Sequence, residues 1–199
     1  MKNKYILMIA PASIPVTGAE AICNVKLLKV LSENGYKIDL ISKKMKYTHY
    51  PETDLAELGL SLNSVSIIEV DNKMSLKVIW QHLCCLFIFG TVFKGAHWAY
   101  CALKTAKKLC KENQYDAIIT KNSPSELLGS YFKKKKGYKW IATWNDPYPT
   151  KKYPKPYGNG VTAKLFILES PLLNLMEKAD YHIFPNQRCQ TWPEVVLMN

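Results

Sequence analysis

The segment ATWNDPYP, Ala142 to Pro149, holds the residues best suited to handle a hydroxyl group. Asn145 and Asp146 form a polar pair at the end of an apolar run. Pro147 and Pro149 stiffen the chain behind them, and Trp144 and Tyr148 supply flat surfaces. A fixed carboxylate beside aromatic rings is a common way to hold a sugar hydroxyl. An Asx-turn before proline is the plainer use of the same residues. A second segment, TKNSPSE, puts Lys121, Asn122 and Ser123 after another apolar run. Ser123 with Glu126 three residues on has the form of a capping box, so turn chemistry alone also accounts for it.

The third segment is TGAE, Thr17 to Glu20. Thr17 would cap a helix, and Glu20 would reach back to the Thr17 amide. Gly18 and Ala19 are small, so a ligand could approach the backbone closely. Open amides at a positive helix end suit a phosphate, and a capped helix start with no ligand is the competing reading. The G-x-G-x-x-G fingerprint is absent, and the second strand runs into Lys43 and Lys44 rather than an acid. Both omissions argue against a dinucleotide site. His49, His82, His97 and His182 are scattered without metal partners at ligand spacing, and His182 reads as a structural residue within a strand. No P-loop and no nucleophile with an adjacent base is present, so no metal or cofactor is expected.

These segments need a scaffold that brings them together, and the apolar pattern supplies one. KYILMIA, YKIDLIS, SVSIIEV, YDAIITK, YKWIATW and DYHIFP read as strands. Ala21, Ile22, Val25, Leu28 and Leu31 have helical spacing in the stretch from Gly18 to Asn34, with Gly35 after the last turn. SPSELLGSYFKKKK reads as a helix ended by Gly137. TAKLFILESPLLNLMEKA reads as a helix broken at Pro171. Strands separated by helices make a doubly wound α/β fold, a mostly parallel sheet with helices on both faces. In such a sheet the working residues lie beyond the carboxyl ends of the strands, where the three segments fall.

The formal net charge is +11, and every one of the 27 basic residues except Arg188 is a lysine. Such a balance favours anionic partners, and lysines that only solubilise the surface are the plainer reading of the same excess. Base-edge reading leans on bidentate arginine, so nucleic acid is not expected and an anionic lipid surface is. Between the third and fourth strands, VIWQHLCCLFIFGTVF is too short for the ~20 apolar residues that span a bilayer. It is nonetheless very apolar for a small domain. Trp80, Phe87 and Trp98 lie near Lys104, Lys107, Lys108 and Lys111, which fall on one helix face. This combination fits docking at a membrane interface; a buried helix or a subunit contact is the alternative. The six cysteines have no C-x-x-C pair and no zinc spacing, and the start of the chain reads as a strand rather than a signal peptide. A reducing cytoplasm, with the chain at the inner membrane surface, is the setting expected from these features.

The order of these motifs, from PASIPVTGAEAICN through SPSELLGSYF and WNDPYP to ADYHIFP, resembles the N-terminal half of a GT-B glycosyltransferase. It is most similar to glycosyltransferase family 4. The likeness covers nearly all of residues 1–199, read as one Rossmann-like, acceptor-side domain. It implies a retaining transfer from a nucleotide-diphosphate sugar to a glycan or lipid-linked acceptor, in cell-surface polysaccharide or glycolipid synthesis. Thr17, Gly18 and Ala19 would face the donor phosphates, although many members have Gly-Gly where this chain has Gly-Ala. Asn145 and Asp146 inherit the catalytic position, and Lys121, Asn122, Ser123 and Tyr148 the acceptor side. The family's donor-binding domain is not among these residues. The isolated chain is therefore expected to be inactive, since the leaving diphosphate is stabilised from that domain. A non-catalytic, membrane-associated scaffold with the same fold is the alternative.

Overall fold

The apolar runs form one parallel sheet in the computed structural model, which describes residues 4–14, 18–44, 64–71, 78–90, 95–122, 124–144 and 178–184. The elements in chain order are β1 (Lys4–Ile9), α1 (Ala19–Glu33), β2 (Tyr36–Lys43) and β3 (Val65–Val70). They continue with α2 (Val78–Phe89), α3 (Ala96–Glu112), β4 (Ala117–Lys121), α4 (Glu126–Lys136), β5 (Trp140–Thr143) and β6 (Tyr181–Ile183). The strand order is β3-β2-β1-β4-β5-β6, and every pairing is parallel. The central strands are buried on both faces, which is why β1, β2 and β4 are built mainly from Ile, Leu and Met rather than from alternating polar residues.

Two apolar layers hold the sheet. On one face Ile6, Met8, Ile38, Leu40 and Ile119 pack against Val25 and Leu28 of α1. On the other, Leu7, Ile9, Ile118 and Trp140 pack against Trp98 and Leu103 of α3 and Leu127 and Phe132 of α4. Helices therefore cover both faces, as the doubly wound pattern requires. Trp140 is fully buried, and its indole N–H donates to the Thr120 hydroxyl at 2.8 Å. Gly129 of α4 lies against this indole; a Cβ there would collide with Nε1. The absence of a side chain at 129 is what lets α4 sit so close to β5.

The amino edge of the sheet is tied by side chains. Asp39 on β2 is buried and accepts from the hydroxyls of Tyr5 and Tyr115 and from the Asn113 amide. Burial and the neighbouring Asp39 charge push the Tyr5 phenol up to about 12 and raise Tyr115 still further. Asp116 accepts from the Tyr5 backbone N–H at 2.9 Å. On the far side, Asp180 accepts from Lys133 of α4 and from the Trp140 backbone, which pins the start of β6. Those donors hold the Asp180 carboxyl below its ordinary range.

The described helices differ from the sequence reading at the start of α4. It begins at Glu126 with Ser125 as its cap residue, so the Ser123–Glu126 capping box does not form around Glu126. The Ser125 hydroxyl donates instead to the Asn122 carbonyl. The helical pattern with Pro171 lies outside the described residues.

Candidate functional site

The strand order creates a crevice where β1 and β4 lie side by side. From β1 the chain moves outward to β2 and β3; from β4 it moves the other way, to β5 and β6. α1 leaves β1 towards one face and α4 leaves β4 towards the other. The two helix starts therefore diverge above the carboxyl ends of two adjacent strands, the place where open α/β sheets bind ligands.

Gly18 begins α1 with φ 156° and ψ 168°, a region that is essentially glycine's own. No atom lies within 4 Å of a Cβ built there, so backbone shape rather than crowding calls for glycine. Its carbonyl accepts the first helical bond, from Ile22 at 2.9 Å. Gly18 and Ala19 are both exposed. Thr17 lies outside the described residues. Glu20 does not close a local capping box: its carboxylate accepts from the side-chain amide of Asn122. That bond spans 102 positions of sequence and joins the two helix starts across the crevice.

Asn122 has φ 56°, the left-handed conformation that asparagine tolerates better than most residues. Its carbonyl accepts from the backbone N–H of Ser125 at 3.0 Å as well as from that residue's hydroxyl. Lys121 is buried, and burial lowers the pKa of its ammonium, with Cys23 and Glu20 acting in the opposite direction. Lys121 and Asn122 are thus brought to the crevice, but one is buried and the other is engaged with Glu20. Ser123 lies outside the described residues.

The residue that sequence reasoning missed as a site group is Glu126. It is 1% exposed, and among the described residues neither carboxyl oxygen has a hydrogen-bond partner. Burial pushes its pKa up to about 8; its own backbone amide works against this and the Glu20 charge adds to it. The available signal was its neighbourhood. Glu126, Leu127, Leu128, Gly129 and Ser130 are all buried, and the tract ELLGS has no polar side facing solvent at the head of a helix.

At the ends of β5 and β6, Trp144, His182 and Phe184 stack in sequence, with centroid separations of 6.3 and 6.0 Å. The Trp144 indole N–H donates to His182 Nδ1 at 3.2 Å, and burial lowers the pKa of the imidazole. Its neutral form then carries the proton on Nε2. Asn145, Asp146 and Tyr148 follow this stack in the chain but lie outside the described residues.

On the helical flank, Phe87 is 86% exposed and Trp80 66% exposed, on a face of α2 that also bears Ile79, Leu83 and Leu86. Trp98 is a correction to the expected docking surface. It is 1% exposed, because its ring fills the core between α3 and the sheet. The α3 lysines are partly engaged. Lys104 lies over the Tyr100 ring, Lys107 lies over the Tyr131 ring of α4, and Lys108 pairs with Glu112 at 3.9 Å. Lys111 stands in the last turn, where a cation suits the helix dipole. A groove of about 540 Å³ lies between Phe87 and Phe89 of α2 and Tyr131, Lys134 and Lys135 of α4. No described helix is long and apolar enough to cross a membrane. Among the described residues, no group of three His, Cys, Asp or Glu could hold a metal ion.

No protein-family model matches the sequence, and no curated protein does either. Solved structures do. The N-terminal domain of trehalose-6-phosphate phosphatase from Candida albicans superposes with a TM-score of 0.57 at 16% identity, covering 99% of this chain and 43% of that one. A putative UDP-N-acetylglucosamine 2-epimerase from Listeria monocytogenes gives 0.54 at 12% identity, covering 100% and 43%. MurG from Acinetobacter baumannii gives 0.45 at 14% identity, covering 92% and 42%. The chain spans less than half the length of each of these proteins. At such identities the likeness shows the fold: α/β, Rossmann-like, one half of a GT-B architecture.

Proposed function

We propose that these residues form the acceptor-side half of a retaining glycosyltransferase that uses a nucleotide-diphosphate sugar. The observation that carries this reading is the crevice between β1 and β4, where two helix starts from opposite faces meet over polar side chains. In this reading the open start of α1, with Thr17, Gly18 and Ala19, faces the donor phosphates. Lys121, Asn122, Ser123 and Tyr148 hold the acceptor, and Asn145 and Asp146 orient its reacting hydroxyl. The donor's own phosphate helps to take the proton, so no strong protein base is needed. In a protein that also carries a donor-binding domain, Asp146→Asn lowers transfer at least about tenfold with a smaller change in acceptor KM. Unchanged transfer would remove Asp146 from the mechanism.

The acceptor in this reading is a glycan or a lipid-linked sugar, and the chain works at the cytoplasmic face of a membrane. The exposed apolar face of α2 beside the lysines of α3 and α4 supports that placement. The double substitution Trp80→Ser, Phe87→Ser is expected to lower binding to phosphatidylglycerol vesicles by about tenfold or more. Wild-type binding should also weaken at high salt. Equal co-sedimentation of both proteins, or wild-type binding indifferent to lipid charge and salt, would sink the membrane reading. The same α2 face alone favours a second reading, a non-catalytic membrane-associated scaffold. A measured Asp146→Asn effect on transfer separates the two.

A further inference from the structure

Glu126 has no place in the reading above, yet it stands at the crevice. Three structural duties are closed to it. It does not cap α4, because Ser125 occupies the cap position. Among the described residues it has no ion-pair partner, and both of its oxygens lack a donor although each is out of contact with water. A buried carboxyl in that state destabilises the fold and calls for an explanation. Its surroundings are specific. The Glu20 carboxylate acts on it from α1, Lys121 is buried at the end of β4, and the amides at the start of α4 adjoin it.

We infer that Glu126 is a ligand-binding group, its carboxyl held without partners for the hydroxyls of a neutral sugar that parts Asn122 from Glu20. The inference rests on the acceptor-side reading and adds a residue and a ligand charge to it. Charge selects the class. A phosphate or carboxylate would be repelled by the Glu20 carboxylate, whose charge already acts on Glu126. An ammonium would compete with Lys121, which is already desolvated there. A hydroxyl both donates and accepts, and a carboxyl in its acid form does both in return. The raised pKa of Glu126 keeps that form present at neutral pH. Parting Asn122 from Glu20 opens their amide–carboxylate bond to the ligand; both residues are half-buried. The sugar then gives the Glu126 carboxyl the partners it lacks among the described residues.

The test is an amide NMR titration of the 199-residue chain with methyl α-glucopyranoside, glucose 1-phosphate and glucosamine. Wild type, Glu126→Gln and Glu126→Leu are compared. The neutral glycoside is expected to shift the amides of Asn122, Ser125 and Leu127. Glu126→Gln, which keeps a donor and an acceptor, retains affinity within about threefold, and Glu126→Leu loses at least about tenfold while its spectrum stays folded. Wild-type affinity in the leucine variant overturns the inference. So does tighter binding of glucose 1-phosphate or glucosamine at these amides. Shifts confined to residues 142–150 would overturn the Glu126 site and leave the acceptor-side reading standing. No perturbation by any sugar would overturn both.

Discussion

Two buried carboxyls stand at opposite ends of the same sheet, and they are treated in opposite ways. Asp39, at the amino edge, accepts from two tyrosine hydroxyls and an asparagine amide. Glu126, at the carboxyl edge, has no donor within hydrogen-bond geometry among the described residues. The first arrangement ties the starts of β1, β2 and β4 together, and every donor in it comes from the chain itself. The second leaves a polar group exposed to a low dielectric, which a fold tolerates where something other than stability is served. The two carboxyls thus differ in what meets them: three side-chain donors at Asp39, none among the described residues at Glu126.

The largest expected effect tests the second half of that contrast. Glu126 has a folded pKa of about 8 against an ordinary value of 4.5, so the folded state keeps a proton that the unfolded chain releases. The associated stability is fully present below the unfolded value and is lost as pH rises through the folded one. Urea denaturation at pH 5, 6.5 and 8 should show wild type losing up to about 1.4 kcal/mol per pH unit relative to Glu126→Gln. Parallel curves for the two proteins would mean that Glu126 is not isolated.

A smaller effect tests the first half. Asp39→Ala strands two hydroxyls and an amide, and should lower stability by about 3 kcal/mol at constant pH. A loss below about 1 kcal/mol would show that water replaces the carboxylate, and the contrast between the edges would fade. The smallest effect sharpens the comparison. At pH 5, where little ionisation penalty remains, Glu126→Leu should raise stability by about 1 kcal/mol, by removing the orphaned oxygens. The same substitution at the saturated end, Asp39→Leu, should lower it, so the two leucine variants differ in sign.

Much of the scaffold was legible because the signals for it are local. β-rich runs between helical patterns gave the parallel sheet, and Gly35 and Gly137 marked helix ends. The chemistry of the crevice was less legible because its bonds are not local. Glu20 has the spacing of a capping-box acid, yet its partner is 102 residues away. SPSE offers two serines that could start a helix; the chain uses the later one, and Glu126 moves from the third position to the first turn, where its carboxyl is buried. Trp98 reads as one of several aromatics in an apolar stretch. Only the packing of α3 on the sheet separates it from Trp80 and Phe87, which face outward.

The strand order also has a consequence for synthesis. β1 is made first and sits in the middle of the sheet, between β2 and β4. The backbone bond from Tyr5 to the Asp116 side chain spans 111 positions. At ~5–20 residues per second on the ribosome, one side of β1 waits on the order of ten seconds for its neighbour. Throughout that interval a strand with four consecutive apolar residues, Ile6 to Ile9, presents a bare hydrogen-bonding edge, which closes only when β4 emerges.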